Sequence, residues 1–434
     1  MPPKTVSAKV QIKITAGKDA GKLFAFTEHD TFVFGRMDDC HACIPDDTQV
    51  SRHHFILEAN PPAACLRDLG SLNGTWVNGK KFGAREMGET PETGAKRRYP
   101  EVTLQHGDRI NVGRTELEVS VEQPKEAPRH LVDARLGDIS LLSPEQLAKL
   151  IFGSPDQAAK PKLQIPGCEI EAEVGRGGFG AVYRARRSNG SVVAVKVMLA
   201  RVDTDDEAIA RFKREAAITA NLDHPNIVRV LESGASGAVF YFIMEFCDGG
   251  SAWELMLKNK GRLSPAQATP IILGSLEALA FAHENVFVHR DLKPQNILLS
   301  RGKVRLSDFG LAKSFQQAGL SGLSVTGGYG GTPVFMPREQ IINFKYVKPV
   351  SDVWSMGATI YNMLTGAFPY QFTKERDPID VILNDDIVPI GKRDKTIPTS
   401  LCAVLDKALE KEARDRFQTA AEMLGAMKKS NALI

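Results

Sequence analysis

Between residues 8 and 122 apolar and polar positions alternate in short runs: AKVQIKI, KLFAF, TFVFG, HHFILEA, ACLRDL, TWVNG, VTLQ, DRINVG and TELEVSVE. Gly, Asn and Asp turns separate them. A period of two puts every second side chain on one face of a strand, and many short strands so spaced predict an all-β sandwich over residues 1–122. No helical period interrupts it, although GAREMGETPETGAKRRYP, residues 83–100, reads as a solvated loop insertion. From 123 to 166 strand signals vanish and Pro, Ala, Lys and Gln dominate, the composition of a linker. Ser143 as N-cap, Pro144 as first helical residue and Leu147, Leu150 and Ile151 on one face predict a short helix over 143–152 within it. Over residues 167–430 strands come first and helices later, which predicts a separate α+β domain. The fold class is therefore multidomain, with no internal repeat.

Composition narrows the function classes. A chain of 434 residues with 43% hydrophobic and 25% charged residues is globular in character and long enough for two cores. Its 55 basic and 52 acidic residues nearly cancel, so nucleic acid and anionic membranes are not expected as partners. The N-terminus, MPPKTVSAKVQIKI, has no apolar signal region, and no run is long enough to span a bilayer, so a cytoplasmic location is expected. Six cysteines in a chain of this length suit reduced thiols. Cys40-His41-Ala42-Cys43 has no second ligand pair elsewhere and reads as a plain loop.

Chemistry enters with VGRGGFGAV, which places Gly175, Gly177 and Gly180 in a G-x-G-x-x-G pattern. Dinucleotide folds and kinases share that pattern, and the residues after it decide between them. Here AVYRARRSNGSVVAVKVM alternates around Asn189-Gly190, a hairpin rather than a helix. The glycines then sit in a strand-turn-strand flap whose backbone N–H groups can approach phosphate oxygens. Lys196 ends the second strand. Downstream, Thr204 to Glu207 forms a capping box, and helical spacing puts Ala208, Phe212, Glu215, Thr219 and Leu222 on one stripe. A carboxylate on an inward face needs a counter-ion, and Lys196 suits Glu215. Together they would hold the α- and β-phosphates of a nucleotide.

The stretch FVHRDLKPQNILLSRGKVRLSDFG is the most specific in the chain. A hairpin centred on Arg301-Gly302 brings Asn296 near Asp308, and an amide oxygen beside a carboxylate suits Mg²⁺. Asp291 can receive the proton of an incoming hydroxyl while Lys293 neutralises charge on a transferring phosphoryl group. With the flap, the strand lysine and the helix glutamate ahead of it, this region resembles the eukaryotic-type Ser/Thr protein kinase family. The resemblance implies a bilobal kinase fold that uses ATP with Mg²⁺, or Mn²⁺. It implies Asp291 and Lys293 as catalytic residues, Asn296 and Asp308 as metal ligands, and Lys196 with Glu215 at the ATP phosphates. It further implies Val182, Ala194 and Leu298 around adenine, with Met244, Glu245 and Cys247 in the gatekeeper and hinge. Asp352 would orient the catalytic loop backbone, and Glu339 would pair with Arg416. His224, His283 and His289 read as structural.

By the same resemblance, SVTGGYGGTPVFMPREQ lies in the activation segment. Arg290, directly before the catalytic aspartate, is expected to dock a phosphorylated Thr326, while Thr332 lies beside the substrate hydroxyl. Pro337-Arg338-Glu339 stands where the family usually has Ala-Pro-Glu, a departure that bears on peptide binding rather than on catalysis.

In the sandwich, Gly35-Arg36, Ser51-Arg52 and Asn73-Gly74-Thr75 are loops rich in groups that hold a phosphate. The ordered set FGR, SRHHF, DLGSLNGTWVNG and GDRINVG resembles the forkhead-associated (FHA) domain, a phosphothreonine-binding β-sandwich. The resemblance implies that the three loops share one end of the fold. Arg36 and Ser51 would contact the phosphate, Arg52 would assist, and Asn73 would hold the peptide backbone, with Gly35 and His54 shaping the loops. Leu72 stands where a polar residue is common, and Gln49 where the third residue after the phosphothreonine is selected, so peptide preference does not transfer. The combined expectation is a Ser/Thr protein kinase acting on protein hydroxyls, with an FHA domain recruiting phosphothreonine partners. Thr326, or Thr90 and Thr93 of the inserted loop, would support self-association once phosphorylated. The alternative is a pseudokinase adaptor acting through phosphopeptide binding.

Overall fold

The computed structural model describes residues 9–27, 30–38, 40–61, 63–85, 99–122, 165–177, 180–199, 219–220, 222–236, 239–309, 333–342, 347–373, 376 and 378–430. The helix expected over 143–152 and the one carrying Glu215 lie outside these residues, as do Thr326, Thr332, Thr90 and Thr93.

The N-terminal strands are β1 (Lys9–Ala16), β2 (Leu23–Phe26), β3 (Asp30–Gly35), β4 (Ala42–Cys43), β5 (Phe55–Asn60) and β6 (Ala63–Asp68). After them come β7 (Thr75–Val77), β8 (Lys80–Phe82), β9 (Glu101–Leu104), β10 (Arg109–Val112) and β11 (Thr115–Glu122). They form two sheets, ordered β2-β1-β11-β10-β7-β8 and β4-β3-β5-β6-β9. Alternation builds the core between them: Val10, Ile12 and Ile14 of β1 face Phe32, Phe34, Phe55, Leu57 and Leu66 of the other sheet's strands in one buried cluster. Two strands depart from the expectation. Ala42 and Cys43, read as loop, pair in parallel with Phe34 and Gly35, and Lys80–Phe82 forms a hairpin with β7. Neither is long enough to register as a periodicity.

The second region opens with β12 (Cys168–Gly177), β13 (Gly180–Arg187), β14 (Val192–Leu199), β15 (Val230–Ser236) and β16 (Val239–Glu245), ordered β12-β13-β14-β16-β15. The Asn189-Gly190 turn joins β13 to β14 as the sequence predicts. A short hairpin, β17 (Ile297–Ser300) with β18 (Lys303–Leu306), turns at Arg301-Gly302.

The helices are α1 (Ala252–Lys258), α2 (Pro265–Glu284), α3 (Arg338–Ile342), α4 (Pro349–Thr365), α5 (Pro378–Asn384), α6 (Ile390–Arg393), α7 (Thr399–Ala408) and α8 (Ala420–Lys429). Ser251 and Ser264 close capping boxes at the starts of α1 and α2. Helix α4 carries fifteen buried residues in succession, Val350 to Leu364, and ends at Gly366 in the left-handed conformation (φ 72°). It is the axis of the helical lobe, and α1, α2, α6, α7 and α8 all pack on it.

Candidate functional site

The flap is assembled by register. Gly175 pairs with Val182 and Gly177 with Gly180 across β12 and β13. At Gly180 the backbone takes φ 141°, and a Cβ there would lie 1.9 Å from the Val197 carbonyl oxygen, so only glycine lets the flap close onto β14. Val182 pairs with Lys196, Ala194 with Met244, and Val193 with Glu245. Five of the residues expected around a base, Val182, Ala194, Met244, Cys247 and Leu298, share one apolar cluster. They come from four separate places in the chain, joined by the sheet and by a bridge between Ser251 and Leu298. Burial pushes the Cys247 thiol up to about 11, so it lies there as a small apolar group rather than as a nucleophile.

Below this patch the charged residues converge. Lys196 Nζ donates to Asp308 Oδ2 at 2.7 Å. Burial by itself would raise the Asp308 carboxyl, but the Lys196 ammonium, with Lys293 further off, holds it below the ordinary carboxylate value. Lys293 Nζ donates to both Asp291 oxygens at 2.9 and 2.8 Å. Asn296 Nδ2 donates to the Asp291 carbonyl at 2.7 Å and to Asp291 Oδ2 at 3.0 Å. Its amide nitrogen is thereby committed, which leaves the amide oxygen to face a cation. Ser307 binds the Asn296 carbonyl through N–H at 2.9 Å and Oγ at 3.0 Å, so the metal-type residues Asn296 and Asp308 are fastened side by side. Arg290 (φ 70°) and Asp308 (φ 66°) both sit in the left-handed region, unusual for residues with a Cβ.

Buried partners hold this loop from behind. Asp352, fully buried, accepts from His289 N at 2.7 Å and Arg290 N at 2.9 Å, and it bonds His283 Nε2 at 2.9 Å. His289 Nε2 meets the Ser307 carbonyl at 2.8 Å, and burial keeps this imidazole below its ordinary pKa. Both histidines are structural members of the loop's support, as their sequence context predicts. Arg416, almost wholly buried, donates to Glu339 at 2.6 and 3.1 Å, and Ser351 Oγ donates to the same carboxylate at 2.8 Å. Gln340, which sequence reasoning missed, donates from Nε2 to the Arg290 carbonyl at 2.6 Å and is fully buried. Nothing in its local sequence announces it, because its partner lies fifty residues away in the chain. Glu215, the expected partner of Lys196, lies outside the described residues, as do the two threonines proposed for regulation.

The phosphate-type loops of the sandwich meet at one end. Arg36 N donates to the carbonyls of Ser51 and Arg52 at 3.0 and 2.9 Å. Ser51 Oγ accepts from Leu72 N at 2.8 Å, and Asn73 Nδ2 donates to the Gln49 carbonyl at 2.8 Å. His54, buried and held below its ordinary pKa chiefly by that burial, accepts from Ser51 N at 3.0 Å and meets the Gly74 carbonyl at 3.2 Å. Arg36, Arg52 and Asn73 are exposed around this scaffold. A cavity of about 410 Å³ opens beside Asn73, lined in part by Gln49, Trp76 and Asn111. Two buried carboxylates, also missed from sequence, shape the loops. Asp68 accepts from Gly70 N, Ser71 N, Ser71 Oγ and Thr75 Oγ1 at 2.6 to 2.8 Å. Asp47 accepts from Gln49 N and Arg114 N at 3.0 and 2.7 Å. An Asp followed two or three residues on by Gly and Ser is the signal of such a turn.

Residues 168–426 match the protein kinase domain, and residues 32–113 match the FHA domain. A probable serine/threonine-protein kinase of Clostridium perfringens, CPE1738, is 35% identical over 261 residues, 59% of this chain and 37% of that protein. The serine/threonine-protein kinase PknB of Mycobacterium leprae is 36% identical over 264 residues, 59% of this chain and 41% of that one. The chain thus spans about two fifths of the length of these relatives. In fold, the kinase domain of Mycobacterium tuberculosis PknI superposes with a TM-score of 0.51 at 23% identity, covering 63% of this chain and 99% of that structure. Among the described residues no helix is long and apolar enough to cross a membrane.

Proposed function

We propose that this chain, which belongs to the protein kinase family, transfers the γ-phosphoryl group of ATP to Ser and Thr hydroxyls of proteins, and that its FHA domain holds phosphothreonine-bearing partners. The observation that carries the reading is the convergence of Lys196, Asp291, Lys293, Asn296 and Asp308 beneath one apolar patch. A chain kept only as an adaptor has no need of that set.

In this reading the base lies among Val182, Ala194, Met244, Cys247 and Leu298, with Glu245 at the hinge. Backbone groups of Gly175, Gly177 and Gly180 lie along the phosphates, and Lys196, together with Glu215, positions them. Asp291 orients the substrate hydroxyl and takes its proton, and Lys293, held on Asp291, is placed to balance charge on the group in transfer. The Asn296 amide oxygen and the Asp308 carboxylate are hard donors that fit Mg²⁺ or Mn²⁺. Such an ion, when bound, neutralises phosphate charge. Arg36, Ser51 and Arg52 hold the phosphothreonine phosphate and Asn73 the peptide backbone. Units at 1–122 and 167–430, joined by 123–166, cytoplasmic residence, Thr326 phosphorylation read by Arg290, Thr332 beside the substrate hydroxyl, and self-association through phosphorylated segments belong to the same reading.

Incubating the full chain with γ-labelled ATP and Mg²⁺, beside Asp291→Ala, tests it. Label should enter protein with the native chain and fall to background in the variant. No incorporation by either chain would favour the adaptor.

A further inference from the structure

The outward side of the sandwich's second sheet is buried where a free-standing sandwich would meet water. On β3, Phe32 and Phe34 point between the sheets, so Val33 points away from them, yet it is 0% exposed. On β5 the same holds for Ile56, between Phe55 and Leu57, at 7%. Val33 pairs with Ile56 and Ile56 with Arg67, so these three side chains form one row across β3, β5 and β6. Arg67 is 2% exposed and lies 3.9 Å from Glu101 on the neighbouring strand. Leu69, just beyond β6, is buried with them at 4%.

On its apolar part this row meets the kinase domain. Val33, Ile56 and Leu69 belong to the same apolar cluster as Ile341, and α3 packs directly against β3. Helix α3 is anchored to the helical lobe at one point and to the catalytic loop at another. Glu339 is clasped by Arg416, and Gln340 holds the carbonyl of Arg290, the residue before Asp291. On the other side, β3 runs without a break into Gly35 and Arg36, the first of the phosphate-type loops. One strand therefore carries a docking residue and ends at the phosphate loop, and one short helix carries its counterpart and the catalytic loop's brace.

We propose that the outward face of the β3–β5–β6 sheet is a docking surface for α3 of the same chain, and that it couples phosphothreonine binding at Arg36 to phosphoryl transfer at Asp291. Both surfaces belong to one chain, so docking between them is intramolecular and needs no second copy. A phosphopeptide that orders the Arg36 loop stiffens β3 and thereby the support that α3 gives Arg290 through Gln340. The docking stands on packing alone; the coupling rests on the function proposed above.

The native 434-residue chain and the double variant Val33→Lys/Ile56→Lys, compared by hydrogen exchange at residues 338–342 and by small-angle scattering, test the docking. The expected result is a monomeric native chain, with at least tenfold faster α3 exchange and a larger radius of gyration in the variant. Phosphothreonine-peptide affinity should stay within twofold, since the substituted side chains point out of the sandwich core. Unchanged exchange and radius would overturn the proposal, as would a native chain whose α3 protection requires dimerisation. Should the lysine pair abolish peptide binding, Val33→Thr/Ile56→Thr is read by the same exchange criterion. For the coupling, a saturating phosphothreonine peptide should raise transfer to a second peptide at least threefold in the native chain and not in the variant; equal stimulation of both overturns it. Absence of transfer in both chains would instead defeat the kinase reading and leave the docking result standing.

Discussion

Asp68 holds together the loop that presents Asn73, a residue of the proposed phosphothreonine site. Its carboxylate, 1% exposed, gathers the backbone and hydroxyls of the loop that presents Asn73. Replacing it with Ala leaves several buried donors without an acceptor, at about 1–3 kcal/mol for each unsatisfied group. Asp68→Ala is therefore expected to lower the melting temperature of the sandwich and to weaken phosphothreonine-peptide binding by about tenfold or more, where a tenfold loss corresponds to about 1.4 kcal/mol. Calorimetric titration and thermal unfolding would check both. At this scale the residues proposed to carry the chemistry are legible: Asp291, Lys293, Asn296 and Asp308 are grouped within one short stretch, and hairpin geometry predicts the approach of Asn296 to Asp308. The residues that hold them are less so. Asp352 is reached only through the family resemblance and Gln340 not at all, because both come from distant segments that only the folded chain brings to the catalytic loop.

Among elements, local pattern succeeds where a strand or helix is long enough to show a period. Strand β11 spans Thr115–Glu122 as the alternation predicts, and both hairpin turns fall where Asn-Gly and Arg-Gly mark them. Strand β4 escapes notice because two residues carry no period, and its partner β3 supplies the register. The flap shows what an element asks of one position. In Gly180→Ala the new methyl would collide with the Val197 carbonyl at a positive φ, so β13 must withdraw from β14. The expected outcome is a KM for ATP raised at least tenfold, with a stability loss of about 1–3 kcal/mol for the strained backbone. Steady-state kinetics against ATP concentration, with urea unfolding beside them, would show it; an unchanged KM would mean that the flap does not lie along the phosphates.

For the whole molecule, the sequence marks two domains and a linker but not their mutual placement. Phe32–Phe34 and Phe55–Leu57 are apolar without a break, so the sequence shows neither that Val33 and Ile56 face outward nor that α3 covers this side, because a covered outward face and a core face look alike in a strand of apolar residues. The proposed function gives one chain two phosphate sites, one that transfers and one that reads. The most direct measurement is a pair of assays on three 434-residue chains: native, Asp291→Asn and Arg36→Ala. Single-turnover transfer from ATP to a peptide without phosphothreonine is read beside binding of a phosphothreonine peptide. Asp291→Asn should slow transfer by about 10²–10⁴-fold with binding intact, and Arg36→Ala should weaken binding at least tenfold while transfer to that peptide stays within a few fold. Transfer that survives Asp291→Asn unchanged, or phosphopeptide binding indifferent to Arg36→Ala, would contradict the account.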